Sequence, residues 1–254
     1  MDLQSSKDPI LFATFNITSA DTDMESRLRP GALLNFLIQS AIQSADSLGF
    51  GFGSLRGEKL FWVLSRMTIR IMRPLKWYEN ITVETWPKDV DGLMYLRDFI
   101  IRDKNNEIVA VATSGWLAVN WETKRPGKIE GIDGLILDRL KSSHAIEEHP
   151  EKLKAVDSEV ISERLVTYFD IDLNRHVTST RYLDWMMDAL PVEFNRAWYP
   201  CQISINYMKE TQLGSNISIA CRKDNLTVFS FEGMNKKNSL VSFRGKIEFS
   251  SVSN

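Results

Sequence analysis

Residues 69–85, IRIMRPLKWYENITVET, and residues 205–221, INYMKETQLGSNISIAC, carry one pattern twice at an offset of 136. Ile69/Ile205, Met72/Met208, Asn80/Asn216 and Ile81/Ile217 are identical, and Arg73/Lys209, Thr82/Ser218 and Val83/Ile219 are close. Upstream of each copy stands a helical pattern. In residues 30–48, Leu33, Leu34, Leu37, Ile38, Ala41, Ile42, Ala45 and Leu48 form an apolar stripe, and Pro30 suits a first turn. Residues 179–190, STRYLDWMMDAL, form the second candidate, with Pro191 as the stop. Here the offset is 149, pairing Asp23 with Asp172. The first copy is therefore longer between helix and sheet by 13 residues, assigned to the Gly-rich run GFGFGSLRGEK. Downstream of each helix the chain alternates apolar and polar residues with period 2, the mark of half-buried strands. Turn-forming DKNNE and NKKNS interrupt the two copies at equivalent places. Each half thus reads as one helix followed by an antiparallel meander, which is an α+β layer arrangement.

The chain has 254 residues, with 43% hydrophobic and 25% charged, enough for one large domain or two small ones. A formal net charge of −2 argues against nucleic-acid binding, which needs a basic surplus. The two cysteines, Cys201 and Cys221, form no CxxC and no Cys/His cluster, so no zinc site is expected. The low count suits a reducing cytoplasm. The N-terminus lacks the basic and apolar regions of a signal peptide, and no membrane span is expected.

Residues 170–186, DIDLNRHVTSTRYLDWM, resemble the active-site segment of the acyl-ACP thioesterases of plants and bacteria, D-x-N-x-H-V-N-N-x-x-Y-x-x-W. The match comprises Asp172, Asn174, His176, Val177, Tyr182 and Trp185. GFGS, FWVLSRM, ITVETW and LRDFIIRD in the first half are similar to the same family. The likeness covers roughly residues 10–125 and 160–222. It implies a tandem (double) hotdog: two helix-wrapped antiparallel β-sheets in one chain. The expected division is an N-terminal repeat over 8–130 that builds much of the acyl pocket, a connection over 131–158 with some helix, and a catalytic C-terminal repeat over 159–254. The sequence departs from the family in two places. Thr178-Ser179 replaces Asn-Asn, and their short oxygen side chains keep the helix cap. Glu210-Thr211 replaces the Glu-Cys pair of the plant enzymes.

Hydrolysing a thioester requires an activated water, a polarised carbonyl and an aligned, dry substrate. Asp172 and Glu210 are the candidate general bases. Asn174 can position water or substrate, and His176 can donate to the carbonyl or exchange protons near neutral pH. The backbone N–H groups of Val177 and Thr178, at a helix start, are candidates to hold the developing oxyanion. The plainer reading of DxNxH is a polar turn that starts a helix. Against it, Asp172, Asn174 and His176 face Asp23, Glu25 and Arg27 in the first copy, and Glu210 faces Pro74. A purely structural set would be expected in both halves. Trp62, Trp86, Trp116 and Tyr182 are candidate pocket walls. Arg66, Arg70, Arg73 and Lys76 are read as a solvated strand face or a docking surface for an acidic carrier protein.

The resemblance implies a cofactor-free, metal-free hydrolase that takes fatty acyl chains from acyl carrier protein in fatty acid biosynthesis, and it leaves a homodimer open. The competing readings are an acyl-CoA thioesterase, a hotdog dehydratase acting on 3-hydroxyacyl thioesters, and a non-enzymatic acyl-thioester binder.

Overall fold

The computed structural model describes residues 9–129, 136, 140 and 142–252. The first half runs β1 (Leu11–Asn16), α1 (Pro30–Leu48), α2 (Phe52–Gly57), β2 (Leu60–Ile71), β3 (Asn80–Asp91), β4 (Met94–Asp103) and β5 (Ile108–Asn120). The second half repeats it as β6 (Val160–Leu165), α3 (Ser179–Asp188), α4 (Val192–Ala197), β7 (Trp198–Tyr207), β8 (Asn216–Lys223), β9 (Val228–Asn235) and β10 (Val241–Ser251). The helix expected from Pro30 to Leu48 has those bounds. Pro30 occupies its first turn, and Gly49 ends it at φ 91°, a left-handed conformation that costs glycine little.

The ten strands form one antiparallel sheet in the order β1-β3-β4-β5-β2-β7-β10-β9-β8-β6. The architecture is the tandem hotdog, but the two expected sheets are fused. β2 and β7, which would otherwise be unpaired edges, join side by side. Thr68 stands opposite Ser204 in that pairing, and the two residues are themselves 136 apart. The repeat offset and the strand register therefore coincide at this pair, so the local two-fold axis passes between them. Their hydroxyl oxygens are 3.3 Å apart.

α1 and α3 lie together on one face of the sheet. Leu33, Leu34, Leu37, Leu183 and Met186 pack with Ile69, Val83, Phe99, Ile203, Ile205 and Phe231 in one core that spans both halves. The opposite face carries buried polar residues at the alternate positions. The connection crosses that face. Trp86 Nε1 donates to the Ser143 carbonyl at 2.8 Å, and the Asp98 carboxylate accepts from the Ala145 N–H at 2.7 Å. Glu151 N–H then reaches Thr68 Oγ1 at 3.3 Å, and Leu153 N–H reaches Asn206 Oδ1 at 2.8 Å. The connection over 131–158 was expected to contain some helix; residues 142–158 contain none, and most of 130–141 lies outside the described residues.

One expectation about the length difference is corrected. The Gly-rich run does not form an inserted loop; most of it is α2, which has a counterpart in α4. The principal extra length is helical: α1 has 19 residues and α3 has 10.

Candidate active site

The turn before α3 is built by its own side chains. Asp172 Oδ1 accepts from the N–H groups of Asn174 (2.8 Å) and His176 (3.3 Å), while Asp172 N–H donates to the His176 carbonyl at 2.8 Å. Arg175 sits at φ 64° in the middle of this turn. The first half makes the same turn: Asp23 Oδ1 accepts from Glu25 and Arg27 N–H, both at 2.9 Å, around Ser26 at φ 60°. The structural reading of this aspartate thus holds in both halves, contrary to the expectation that the polar set has no repeated structural role. Beyond the aspartates the two turns diverge. Arg27 is buried, pairs with Asp23 at 2.8 Å and donates to the carbonyls of Asn195 (2.7 Å) and Arg196 (3.3 Å), which fills its corner. Its counterpart, His176, turns outward to a cleft.

In that cleft His176 Nε2 lies 3.0 Å from Glu210 Oε2. Strand alternation does not set the face of Glu210, because β7 ends at Tyr207. Met208–Glu210 leave the strand while Met208 N–H still holds the Ser242 carbonyl at 2.9 Å, and this aims the glutamate at the histidine. Asp172, Asn174, His176, Val177, Thr178 and Glu210 all line one cleft of about 540 Å³, within the range of small-molecule sites. Asn174 is exposed at its mouth.

The expected oxyanion donors require correction. Val177 N–H donates to the Thr211 carbonyl and Thr178 N–H to the Asp170 carbonyl, both at 2.9 Å. Neither is available to a substrate, because the loop uses both to close the turn onto its neighbours. Nor does the Thr178 side chain cap the helix. The N–H groups of the next two residues, Ser179 and Thr180, have no acceptor among the described residues, and both residues line the cleft. Thr211, at the position of the plant cysteine, is fully buried, and its hydroxyl donates to Ser242 Oγ at 2.8 Å. It fixes the loop from below.

The cleft is walled by α1, β2 and β5 of the first half as well as by the polar turn. Trp62, Trp116 and Tyr182 line it, while Trp86 is buried elsewhere and does not. The two indole N–H groups are satisfied, Trp62 by the Phe50 carbonyl (2.9 Å) and Trp116 by Ser114 Oγ (2.8 Å). Their ring faces are thereby left as apolar wall. Burial pushes the Tyr182 phenol up to about 12, and the nearby Asp172 and Glu210 charges add to the effect, so it stays protonated. Beyond Ile42, Ala45, Trp62 and Trp116 a smaller cavity of about 60 Å³ continues toward Arg97. That guanidinium is buried against Ser44 Oγ (2.9 Å) and Thr85 Oγ1 (3.2 Å), and desolvation lowers its pKa to about 9. Neither cysteine lines the cleft, and burial raises both thiols, Cys221 to about 11.

The basic run is not a free stripe. Arg73 holds Glu79 at 2.8 Å and Asp103 at 2.9 Å, and Arg70 meets Glu148 at 3.3 Å.

Family models match the chain over both halves. The family model for the acyl-ACP thioesterase N-terminal domain matches residues 11–131, and that for the C-terminal domain matches residues 153–251. The chain belongs to the acyl-ACP thioesterase family. A crystal structure of an acyl-ACP thioesterase from Bacteroides thetaiotaomicron is 29% identical, with a TM-score of 0.88, covering 97% of this chain and 100% of that one. A 12:0-ACP thioesterase from Umbellularia californica has the same fold, at TM-score 0.86 and 21% identity over 96% of this chain and 98% of that one. Among curated relatives, a chloroplastic acyl-(acyl-carrier-protein) hydrolase of Cuphea viscosissima is 28% identical over 80% of this chain and 51% of its own length. A chloroplastic palmitoyl-acyl carrier protein thioesterase of Gossypium hirsutum is 28% identical over 80% and 53%. The chain spans about half the length of the curated relatives it matches.

The sequence reading missed the contribution of α1, whose Asn35 and Gln39 stand in the cleft. Their signal was visible as two polar residues four apart beside the apolar Ile38 and Ile42.

Proposed function

We propose that this family member hydrolyses fatty acyl thioesters carried by acyl carrier protein, using residues 159–254 for the chemistry and 8–130 for the acyl wall. The observation that carries this reading is the 3.0 Å His176–Glu210 pair in a largely apolar cleft. Histidine and glutamate act as one proton acceptor. Water adds to the thioester carbonyl and its proton passes into the pair. The C–S bond then breaks, the proton leaves on the departing thiol, and the fatty acid gives the second water-derived proton to solvent as it becomes the carboxylate. Asp172 holds the turn with one oxygen and adds negative field with the other. Asn174 positions water or the thioester at the mouth. The unclaimed N–H groups of Ser179 and Thr180 take the oxyanion role assigned at first to Val177 and Thr178. No step calls on a cofactor.

A carrier protein partner is favoured by Arg175 and Lys209. Both are exposed beside the mouth and make no ion pair among the described residues, so they are free for an acidic partner. The two free cysteines are compatible with a cytoplasmic setting. The test is a side-by-side assay of the same acyl chain on carrier protein and on coenzyme A. A higher kcat/KM on the carrier protein supports the proposal; equal or higher values on coenzyme A replace it with an acyl-CoA thioesterase.

A further inference from the structure

The two halves treat one corner differently. At the start of α1, Gly31 lies so close to Asp184 of α3 that a Cβ there would strike Asp184 Oδ1. Asp184 thus sits over the first turn of α1, with Arg29 at 4.0 Å and Arg181 at 3.4 Å. The offset of 149 that relates the two helices carries Gly31 onto Thr180 and Asp184 onto Asn35. By the same local two-fold, Asn35 of α1 stands over the first turn of α3. The cleft agrees, since Asn35, Ser179, Thr180, His176 and Glu210 all line it. The charges around Asp184 have no counterpart in this copy: Arg29 and Arg181 map onto Thr178 and Ala32. Asn35 is exposed, and its side chain has no hydrogen-bond partner among the described residues.

We infer that Asn35, from the half without the Asp-Asn-His set, is a substrate-contacting residue whose amide N–H donates to the thioester carbonyl oxygen as it becomes an oxyanion. This deepens the thioesterase reading and rests on it. The chemistry selects an amide over the aspartate of the sister corner. Without those arginines, a carboxylate at this point would repel the negative charge that develops in the transition state. Neutral Asn35 presents a donor with no such charge.

The two properties separate in one substitution. Asn35→Asp preserves shape, adds a negative charge at the helix start, and should leave the melting temperature unchanged or higher. Its kcat on acyl carrier protein should fall about 10²-fold, the usual loss for an oxyanion donor, while KM moves little. Asn35→Ala should lose kcat by at least about tenfold with the same KM. A purely structural Asn35 predicts the reverse, with stability changed and kcat kept. If both variants keep kcat within about threefold of an active wild type, the inference is overturned and the thioesterase reading stands. An inactive, folded wild type overturns both.

Discussion

Replacing Glu210 by Gln keeps the size of the side chain and its ability to hydrogen-bond, and removes only the charge 3.0 Å from His176 Nε2. The glutamate side chain is 44% exposed, so the low-dielectric limit does not apply to it. A unit-charge pair at this distance is worth about 1.4 kcal/mol at the dielectric of water and about 2.8 kcal/mol at half that value. If this attraction serves the imidazolium that forms during proton transfer, its loss raises the barrier by the same amount. Turnover should then fall about 10- to 100-fold. The ground state loses little, because the neutral pair can still hydrogen-bond, so the fall should appear in kcat and not in KM. The assay is continuous thiol release from acyl carrier protein, with circular dichroism melting as the control for folding. Full activity of Glu210→Gln at neutral pH would remove Glu210 from the machinery and leave Asp172 as the only carboxylate available.

His176→Ala, Asn174→Ala and Asp172→Ala should each lower turnover by roughly 10²–10⁴, with the Asp172 variant also losing thermal stability because two N–H groups of its turn lose their shared acceptor. Arg27→Ala in the sister turn should do the opposite, costing about 3 kcal/mol in a denaturant titration while folded molecules keep turnover within about tenfold. The Cys201→Ala/Cys221→Ala double variant should remain fully active, since burial disfavours both thiolates; an acyl-cysteine adduct trapped during turnover would falsify water attack. Asp184→Asn should be more stable than wild type at pH 7. Burial is the largest influence on Asp184 and raises its carboxyl pKa despite Arg29 and Arg181, so wild type loses stability as pH rises through that raised value. The advantage of the Asn variant should therefore vanish in melting curves taken below the ordinary carboxylate range.

The repeat was legible because burial imposes the same alternation on both copies, as at Ile69/Ile205 and Ile81/Ile217, all four fully or almost fully buried. α1 was legible to the residue because Pro30 and Gly49 mark its ends chemically. The polar set was legible as a group, since Asp172 to Thr178 is one local turn and Glu210 follows from the family pattern. What escaped depends on long-range backbone partners. Whether Val177 N–H faces a substrate or the chain is decided by the Thr211 carbonyl, 34 residues away, and nothing local in HVTST encodes that. The fusion of β2 to β7 escaped for the same reason, because alternation tells a strand's faces but not its neighbours. Asn35 escaped because an exposed polar residue on an amphipathic helix looks solvated until the second helix is laid beside it.

Water attack on an acyl thioester beside His176 and Glu210 leaves an isotopic trace in the product. Its most direct test is a ladder of acyl carrier proteins of increasing chain length, incubated with the protein in ¹⁸O-labelled water. The fatty acid is read by mass spectrometry and the thiol by titration. Water attack in this cleft should give free acid carrying one ¹⁸O from solvent, one thiol per acid, and a dependence on chain length. A folded protein that releases neither acid nor thiol from any member of the ladder would contradict it.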